Sequence, residues 1–196
     1  MDNNQGYLEL FIGPMFSGKT THLIQCFKQY NYIGKKVCVI NYKDDTRYHD
    51  SMLSTHDKLM IPCIQTRSIR NVMQAASSAE VVLINEGQFF EDLYECVLEL
   101  VEKNQTKVYI CALDGDFKRE KFGSILDLIP YCDKVTKLNA LCSKCKNGTK
   151  ALFSHRVSQE NQQIVIGADN YIPLCRNCYL LYNGSTIRSE CIRSEL

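Results

Sequence analysis

The sequence lacks the features that would place the chain in a membrane or mark it for export. No apolar run approaches the roughly 20 residues that a membrane-spanning helix requires. The opening residues, MDNNQGYLEL, do not have the basic and then apolar order of a signal peptide. We therefore expect a cytoplasmic protein with no membrane partner.

Clustered positive charge is also missing. The 196 residues include 23 Lys and Arg and 22 Asp and Glu, so the net charge is +1, with no basic tail. Proteins whose main partner is nucleic acid draw on clustered Lys and Arg, so this balance gives such a partner little support. Internal repeats and low-complexity tracts are absent too, and the length suits one globular domain with a small appendage.

Cysteine, by contrast, is abundant. Of eleven Cys residues, four form two Cys-x-x-Cys motifs and the others are scattered, several of them within apolar runs. The odd count argues weakly against a complete disulfide framework, and a free thiol in an apolar run acts as a small hydrophobic side chain. The cysteines therefore indicate a reducing, cytosolic compartment.

Short apolar runs alternate with amphipathic segments before residue 139. Helices are predicted after Gly18 and over 91–103, and strands are predicted over 7–12, 35–42, 80–84, 107–113 and 133–138. This alternation is typical of an α/β fold, in which helices cover both faces of a parallel sheet. Ligands of such folds bind at the carboxyl ends of the strands.

The pattern changes near Asn139, which divides the chain into two predicted units. We expect a P-loop nucleotide-binding α/β domain over 1–138 and a small zinc domain over 139–196. Two strand-like runs, 150–157 and 162–167, lie between the cysteine motifs of the second unit. The polar stretch 43–58 has little periodicity and is expected to be a mobile loop.

The segment GPMFSGKT matches the phosphate-loop pattern G-x-x-x-x-G-K-[ST] between a predicted strand and a predicted helix. In this pattern the lysine reaches the β- and γ-phosphates of a nucleoside triphosphate, and the final hydroxyl binds Mg²⁺. Glycines let the backbone N–H groups approach the phosphate closely. The residues predicted to hold the phosphates are Gly13, Pro14, Met15, Phe16, Ser17, Gly18, Lys19 and Thr20, with Thr20 also a magnesium ligand.

The strand VVLI ends in NEGQFF, where P-loop enzymes usually carry an Asp that holds magnesium through water. Asn85 stands at that position, and its amide oxygen could still accept a hydrogen bond from a metal-bound water. Glu86 follows at the carboxyl end of the strand, where a general base for an attacking hydroxyl would be needed. On position alone, Glu86 could equally hold the magnesium itself or be a solvated loop residue.

Two Cys-x-x-Cys motifs in one short segment favour a tetrahedral zinc site with four cysteine ligands. The ligands would be Cys142, Cys145, Cys175 and Cys178. Four protein ligands leave no open position on the metal, so the zinc would be structural. The alternative is a pair of redox dithiols or a disulfide, although a redox Cys-x-x-Cys normally begins a helix in a thioredoxin-like unit.

The motifs GPMFSGKT, DTRY, THD, NEGQFF, ALDGDF, KFGSILDLIP, CSKC, GADNY and CRNC, in this order, resemble the zinc-containing thymidine kinases of cytosolic, bacterial and large-DNA-virus type. The resemblance covers residues from about 7 to 183. It implies phosphate transfer from ATP to the 5′-hydroxyl of thymidine, with Mg²⁺. It also implies a homotetramer with one structural zinc per subunit.

The resemblance also implies roles for individual residues. Glu86 would be the base that takes the 5′-hydroxyl proton, and Met15 would lie near the thymine methyl group. The nucleotide side would include Asp45, Arg47, Asn85 and Gln88. The walls of the nucleoside pocket would be Phe89, Leu113, Phe117 and Phe122, and a backbone lasso that reads the thymine edge would comprise Gln162, Gln163, Ile164, Val165 and Ile166, closed by Tyr171. The alternative for each aromatic residue is core packing, which we prefer for Phe90.

Three positions depart from the family pattern. Asn85 replaces an Asp, which bears on magnesium affinity; Asp116 replaces a neutral residue resembling Thr, which places a charge near the pocket. Ile166 stands where the family has Gly, and a β-branched residue there would stiffen the lasso and alter base selectivity.

Other function classes make different demands on the sequence. A GTPase switch needs an Asn-Lys-x-Asp motif, and the chain contains no Asn-Lys dipeptide. A zinc-ribbon nucleic-acid binder needs a basic face, which the near-neutral charge opposes. An inactive kinase relative is suggested by Asn85, and the sequence leaves that alternative open.

Overall fold

The computed structural model describes residues 5–43, 52–54, 59–160, 162–164 and 170–191, with side chains as far as residue 183. Its centre is a six-stranded sheet in which all neighbouring strands run parallel. The sheet strands, numbered along the whole chain, are β1 (Tyr7–Ile12), β2 (Val37–Tyr42), β5 (Ile64–Thr66), β6 (Val81–Ile84), β7 (Lys107–Ala112) and β8 (Lys134–Lys137). Their order across the sheet is β5-β2-β6-β7-β1-β8.

Helices cover both faces of this sheet. The α-helices are α1 (Lys19–Tyr32), α2 (Met73–Ser77), α3 (Leu93–Leu98) and α4 (Arg176–Cys191). Leu23 and Ile24 of α1 pack on one face with Leu83 and Tyr109. Leu93 and other residues of α3 pack on the opposite face, together with residues of a 3₁₀ helix over Ile125–Tyr131. The predicted α/β fold with a parallel sheet is thus confirmed.

All five predicted sheet strands are present, each within two residues of its predicted limits. The predicted helix over 91–103 is also present, but its second half, Glu99–Lys103, is wound as a π-helix. A 3₁₀ turn over Ile69–Val72 leads into α2.

The prediction of a loop over 43–58 was wrong for residues 52–54. Strand β3 (Met52–Ser54) lies there and pairs antiparallel with β4 (Met60–Pro62). Leu53 and Ile61 are buried in the core cluster beneath α1, and this burial is what orders the hairpin.

The second unit is built from short strands. They are β9 (Ala140–Leu141), β10 (Lys150–Ala151), β11 (Phe153–Arg156) and β12 (Tyr171–Leu174), paired as β10 with β9 and β11 with β12. The predicted strand over 150–157 is therefore split into two strands. The predicted strand over 162–167 was wrong for Gln162–Ile164, which are not in a strand, and its remaining residues lie outside the described part of the chain.

This unit has a small hydrophobic cluster of its own. Ala140, Ala151, Leu174 and Tyr179 are buried there beside the cysteine motifs. The boundary at residue 138 stays a prediction. Within the described residues, no helix combines the length and apolar character needed to cross a membrane.

Candidate active site

The phosphate loop connects β1 to α1 at the carboxyl edge of the sheet. Gly13 has φ +152°, and a Cβ there would lie 2.3 Å from the Leu138 carbonyl oxygen, so only glycine fits. Gly18 caps α1 in the left-handed region at φ 81°. The N-terminus of a 14-residue helix therefore faces the loop, as an anion site requires.

Lys19 is largely buried at the centre of this loop. Its Nζ donates to the carbonyl oxygens of Gly13, at 3.1 Å, and Pro14, at 2.7 Å. Both acceptors belong to the loop itself, so the ammonium group is held where bound phosphate oxygens would lie. A cation at this point can stabilise negative charge on a transferring phosphoryl group.

A chain of polar side chains runs from α1 into the sheet. Thr20 Oγ1 donates to Asn85 Oδ1 at 3.4 Å, and Asn85 Nδ2 donates to Asn41 Oδ1 at 2.8 Å. Asn41 Nδ2 in turn donates to Gln65 Oε1 at 3.1 Å. Asn85 and Asn41 are almost fully buried, and these hydrogen bonds compensate their desolvation. The oxygen of Asn85 thus faces the predicted magnesium ligand Thr20.

Glu86 follows Asn85 in the left-handed region, with φ 55° and ψ 43°. A non-glycine residue in this conformation is strained, and such strain is concentrated at functional sites. Gln88 Nε2 donates to Glu86 Oε2 at 2.7 Å, and Gln88 Oε1 accepts from the Leu113 backbone N–H at 3.0 Å. Buried Gln88 therefore fixes the Glu86 carboxylate relative to the end of β7.

Glu86 and Lys19 both act on the buried Cys111. The Cys111 thiol donates to the Lys19 carbonyl oxygen at 3.0 Å. Burial raises the pKa of this thiol well above its usual value, and the charges of Lys19 and Glu86 act on it in opposite directions. A carboxylate and an ammonium group thus share one end of the sheet, and Cys111 near them stays a neutral thiol.

Aromatic side chains line the same end of the sheet. The half-buried Phe89 ring contacts Phe122 edge-on at 5.4 Å between centroids and Tyr42 at 5.1 Å. Phe90 is 1% exposed and packs edge-on against Tyr42, which confirms core packing for Phe90. Tyr42 belongs to this cluster, but sequence reasoning missed it because it ends a strand and resembles any other strand residue.

The second unit contacts this site directly. The Met15 backbone N–H donates to Ser154 Oγ at 2.9 Å, which links the phosphate loop to β11. Tyr179 donates its hydroxyl to the Phe117 carbonyl oxygen at 2.6 Å, and the Arg119 guanidinium lies 4.8 Å from the Tyr179 ring centre. The segment after β7, which carries Leu113 and Phe117, is thus held by the second unit.

Arg156, another residue that sequence reasoning missed, organises the segment that the resemblance identifies as a lasso. Its guanidinium donates to the carbonyl oxygens of Glu160, Gln162 and Gln163, and to the hydroxyl of Tyr171. It also lies 3.8 Å from the centre of the Phe117 ring. The predicted pocket residue Phe117 and the predicted lasso residues therefore meet around one buried cation, a grouping that no local sequence pattern indicates.

The four cysteines of the two motifs converge on one point. Their sulfur atoms all lie within 4.8 Å of one another, with Cys145 Sγ 3.7 Å from Cys175 Sγ and 3.5 Å from Cys178 Sγ. Tetrahedral zinc with Zn–S bonds of about 2.3 Å places its sulfurs roughly 3.8 Å apart, whereas a disulfide bond is about 2 Å long. The second motif does open α4, as a redox motif would, but the convergence of all four sulfurs fits a metal site.

The protonation of the cluster also fits a cation. Burial opposes ionisation of Cys142, but backbone N–H groups of Cys175, Cys145 and Lys144 outweigh it and lower the Cys142 pKa to about 6. The pKa of Cys178 is raised to about 12, first by its hydrogen bond with Cys145. Ionisation of one thiol therefore disfavours ionisation of its neighbours, and a bound divalent cation would relieve the repulsion between thiolates.

The remaining predicted site residues divide into two groups. Leu113, Phe117, Phe122 and Tyr171 are all at least partly buried around the site, whereas Phe16 is 43% exposed and Ile164 is 48% exposed. The predictions for Asp45, Arg47, Val165 and Ile166 lie outside the described residues. The scattered cysteines behave as expected: Cys38, Cys96 and Cys111 are buried free thiols whose pKa values are raised by burial.

Known proteins are similar to this chain over most of its length. The family model described as Thymidine kinase matches residues 6–179. Thymidine kinase 1 of Dictyostelium discoideum is 40% identical over 89% of this chain and 78% of the relative. Thymidine kinase of Sheeppox virus (strain KS-1) is 40% identical over 90% of this chain and 98% of the relative. Cytosolic thymidine kinase of Cricetulus griseus is 39% identical over 89% of this chain and 74% of the relative.

Among solved structures, a DNA replication initiation factor superposes with a TM-score of 0.44 and 11% identity over 68% of this chain and 40% of that one, which is too distant to support an argument. The sequence relatives are much closer and align over most of their own length. Together with the family match over 6–179, they identify the chain as a member of the thymidine kinase family.

Proposed function

We propose that the protein transfers the γ-phosphate of ATP to the 5′-hydroxyl of thymidine, giving dTMP and ADP. The observation that carries the proposal is the Glu86 carboxylate, which stands on a left-handed backbone and is fixed by Gln88 beside a phosphate loop whose ammonium group is already in place. The family membership and the names of the relatives support thymidine as the acceptor.

In this proposal Glu86 accepts the proton of the 5′-hydroxyl as its oxygen attacks the γ-phosphorus. The bond from the γ-phosphorus to the bridging oxygen breaks, and ADP leaves. Lys19 and the backbone N–H groups of the loop stabilise the charge that develops on the phosphoryl oxygens. Gln88 holds the Glu86 carboxylate in position by its 2.7 Å hydrogen bond.

Thr20, with Asn85 behind it, fits a magnesium site because a hydroxyl and an amide oxygen lie 3.4 Å apart beside the phosphate loop. When bound with ATP, Mg²⁺ would neutralise charge on the phosphates. Cys142, Cys145, Cys175 and Cys178 would hold one structural zinc.

We place thymine between the aromatic cluster and the segment that Arg156 organises. Phe89, Leu113, Phe117 and Phe122 would surround the nucleoside, Met15 would face the thymine methyl group, and the 162–166 backbone would read the base edge. Asp45 and Arg47 would act on the nucleotide side. We also propose a cytosolic homotetramer, which sedimentation of the purified protein would test.

The test is a phosphorylation assay with γ-labelled ATP, Mg²⁺ and thymidine, on the intact protein and on Glu86→Gln. Loss of the base should lower kcat on the order of 10²- to 10⁴-fold. Glu91→Gln, which removes an exposed carboxylate from the same stretch of chain, is the matched control and should retain activity.

Each other outcome has a definite meaning. Near-normal kcat in Glu86→Gln would show that another group takes the proton. ATP hydrolysis by the wild-type protein with no dTMP would favour a P-loop NTPase that transfers phosphate to water. No consumption of ATP under any condition would favour an inactive relative with a zinc ribbon.

A further inference from the structure

Asp116 is a buried carboxylate in the segment after β7, and it is only 5% exposed. Its Oδ1 accepts from the backbone N–H groups of Lys118, at 2.8 Å, and Glu120, at 2.9 Å, so one oxygen closes a local turn. Its Oδ2 accepts from Gln163 Nε2 at 2.9 Å. The second oxygen therefore reaches across 47 residues of sequence to the second unit.

Gln163 is bound at two places. Asp116 holds its side-chain amide, and Arg156 Nη2 donates to its backbone carbonyl oxygen at 2.9 Å. The same Arg156 guanidinium lies over the Phe117 ring, next to Asp116 in sequence. The side chain and the backbone of Gln163 are thus fixed to the loop after β7 by one anion and one cation.

We propose that Asp116 is a positioning residue that holds the segment Gln162–Ile164 against the nucleoside side of the active site. The proposal rests on the proposed function, because it assigns this segment to thymidine binding. Gln163 and Ile164 are exposed, so burial alone does not hold them in place. A hydrogen bond to an ionised carboxylate is about twice as strong as one between neutral groups, which suits an anchor for an exposed segment.

The alternative role for Asp116 is local, as the residue that closes the 116–120 turn. Replacing Gln163 separates the two roles, because Gln163 takes no part in that turn. Gln163→Glu puts a second carboxylate opposite Oδ2, and the like charges repel. Adding Asp116→Asn restores the bond with donor and acceptor exchanged, because Asn keeps Oδ1 for the turn and offers Nδ2 to the carboxylate introduced at position 163.

The first measurement is the NMR order parameters of the backbone amides of 162–164 in the free protein, which needs no substrate. Gln163→Glu should lower them from about 0.85, typical of rigid backbone, toward about 0.6, without changing those in β1, and Asp116→Asn in the same chain should restore most of that loss. Asp116→Asn alone should lower them less than Gln163→Glu does, because the Gln163 amide can rotate to accept and a weaker, neutral hydrogen bond replaces the one to the carboxylate.

The second measurement is steady-state kinetics with thymidine. The KM for thymidine should rise by roughly five- to tenfold in Gln163→Glu and return in the double variant, while kcat changes less than about twofold, because the lost contact positions the nucleoside rather than the phosphate. The KM for ATP should be unaffected.

Unchanged order parameters in Gln163→Glu, no recovery in the double variant, or altered order parameters with an unaltered KM for thymidine would each overturn the proposal. The proposed function fails separately. If the order parameters change as expected but the wild-type protein does not phosphorylate thymidine, the anchor stands as a contact and the assignment of substrate is wrong.

Discussion

The direction of the hydrogen bonds at Asn85 determines what a carboxylate would do at that position. The Asn85 oxygen accepts from Thr20, and its amide group donates to Asn41, which donates to Gln65. A carboxylate can only accept, so Asn85→Asp requires the Asn41 and Gln65 amides to turn over. After both have turned over, the bond between them persists with donor and acceptor exchanged.

We predict that Asn85→Asp lowers the Mg²⁺ concentration that gives half-maximal activity. A carboxylate at this point adds Coulomb attraction for a dication near Thr20, even at an effective dielectric constant of about 20. Titration of activity against Mg²⁺ measures the effect. Two pH values are needed, since a second carboxylate beside Glu86 would raise the pKa of that base by like-charge repulsion.

Asn41→Asp is the matched control for this prediction. It adds the same charge in the same buried chain, but one residue further from Thr20, and should lower the Mg²⁺ requirement less. If the titration curves of Asn85→Asp and the wild type coincide at both pH values, Asn85 does not lie near the bound metal. Asp45 or Asp114 would then be tested, although Asp114 is already paired with Lys137.

At the scale of elements, Asp92 holds the turn before α2 to the start of α3. Its carboxylate accepts from Ser68 Oγ at 2.6 Å and from the backbone N–H groups of Ile69 and Arg70. Partial burial raises the pKa of Asp92, but these hydrogen bonds outweigh burial and lower it below the usual value. The stabilisation is therefore complete above the unfolded-state pKa, near 4, and is lost as pH falls through the folded-state pKa.

Asp92→Asn should therefore lower the free energy of unfolding by about 1–2 kcal/mol at pH 7, discounted for partial exposure, and by less at pH 3. Urea unfolding at the two pH values measures this difference. Asp127→Asn, which breaks an exposed ion pair with Lys121, is the control and should cost no more than about 1 kcal/mol. An equal loss at both pH values would mean that ionised Asp92 is not the stabilising form.

The four cysteines of the second unit converge beside its hydrophobic cluster. Its hydrophobic cluster is small, so we expect a bound zinc to supply much of its folding free energy. Chelation should loosen 139–183 before the sheet, and hydrogen exchange would locate the change. Because Met15 donates to Ser154, we also expect faster exchange at the Met15 amide, with α1 unaffected.

Metal analysis provides the matched comparison for this prediction. Cys178→Ser should lose the metal, whereas Cys132→Ser, outside the cluster, should retain one zinc per chain. Gently purified wild-type protein without zinc would contradict the assignment.

How far the sequence predicts each element depends on the range of the interactions that form it. The buried sheet strands and the phosphate loop are encoded by neighbouring residues, so periodicity and spacing located them correctly. Strand β3 has only three residues and is ordered by burial of Leu53 against the core, which no local pattern reveals. Arg156 and Ser154 act through partners that the local sequence does not identify, and their role became visible only in the fold.

At the scale of the whole molecule, the family and the α/β fold were predicted from motifs whose residues lie close together in sequence. The hydrogen bonds between the two units were not predicted, because they join residues far apart in sequence, such as Met15 with Ser154 and Tyr179 with Phe117. Ser and Tyr occur at many other positions in the sequence, so only the folded structure shows that Ser154 and Tyr179 make these bonds.

The position of β1 in the sheet has a consequence for synthesis on the ribosome. β1 emerges before both of its neighbours, because β7 and β8 lie at 107–112 and 134–137, and Leu8 N–H donates to Asp133 Oδ2. The apolar side chains of β1 therefore cannot be buried in the sheet until β7 and β8 have been synthesised. Pairing between such distant segments is slow, and the unpaired segments are prone to aggregation. Nascent chains stalled before residue 107 should stay sensitive to protease throughout β1, and those that expose residue 138 should not; early protection of β1 would show that it first folds against other partners.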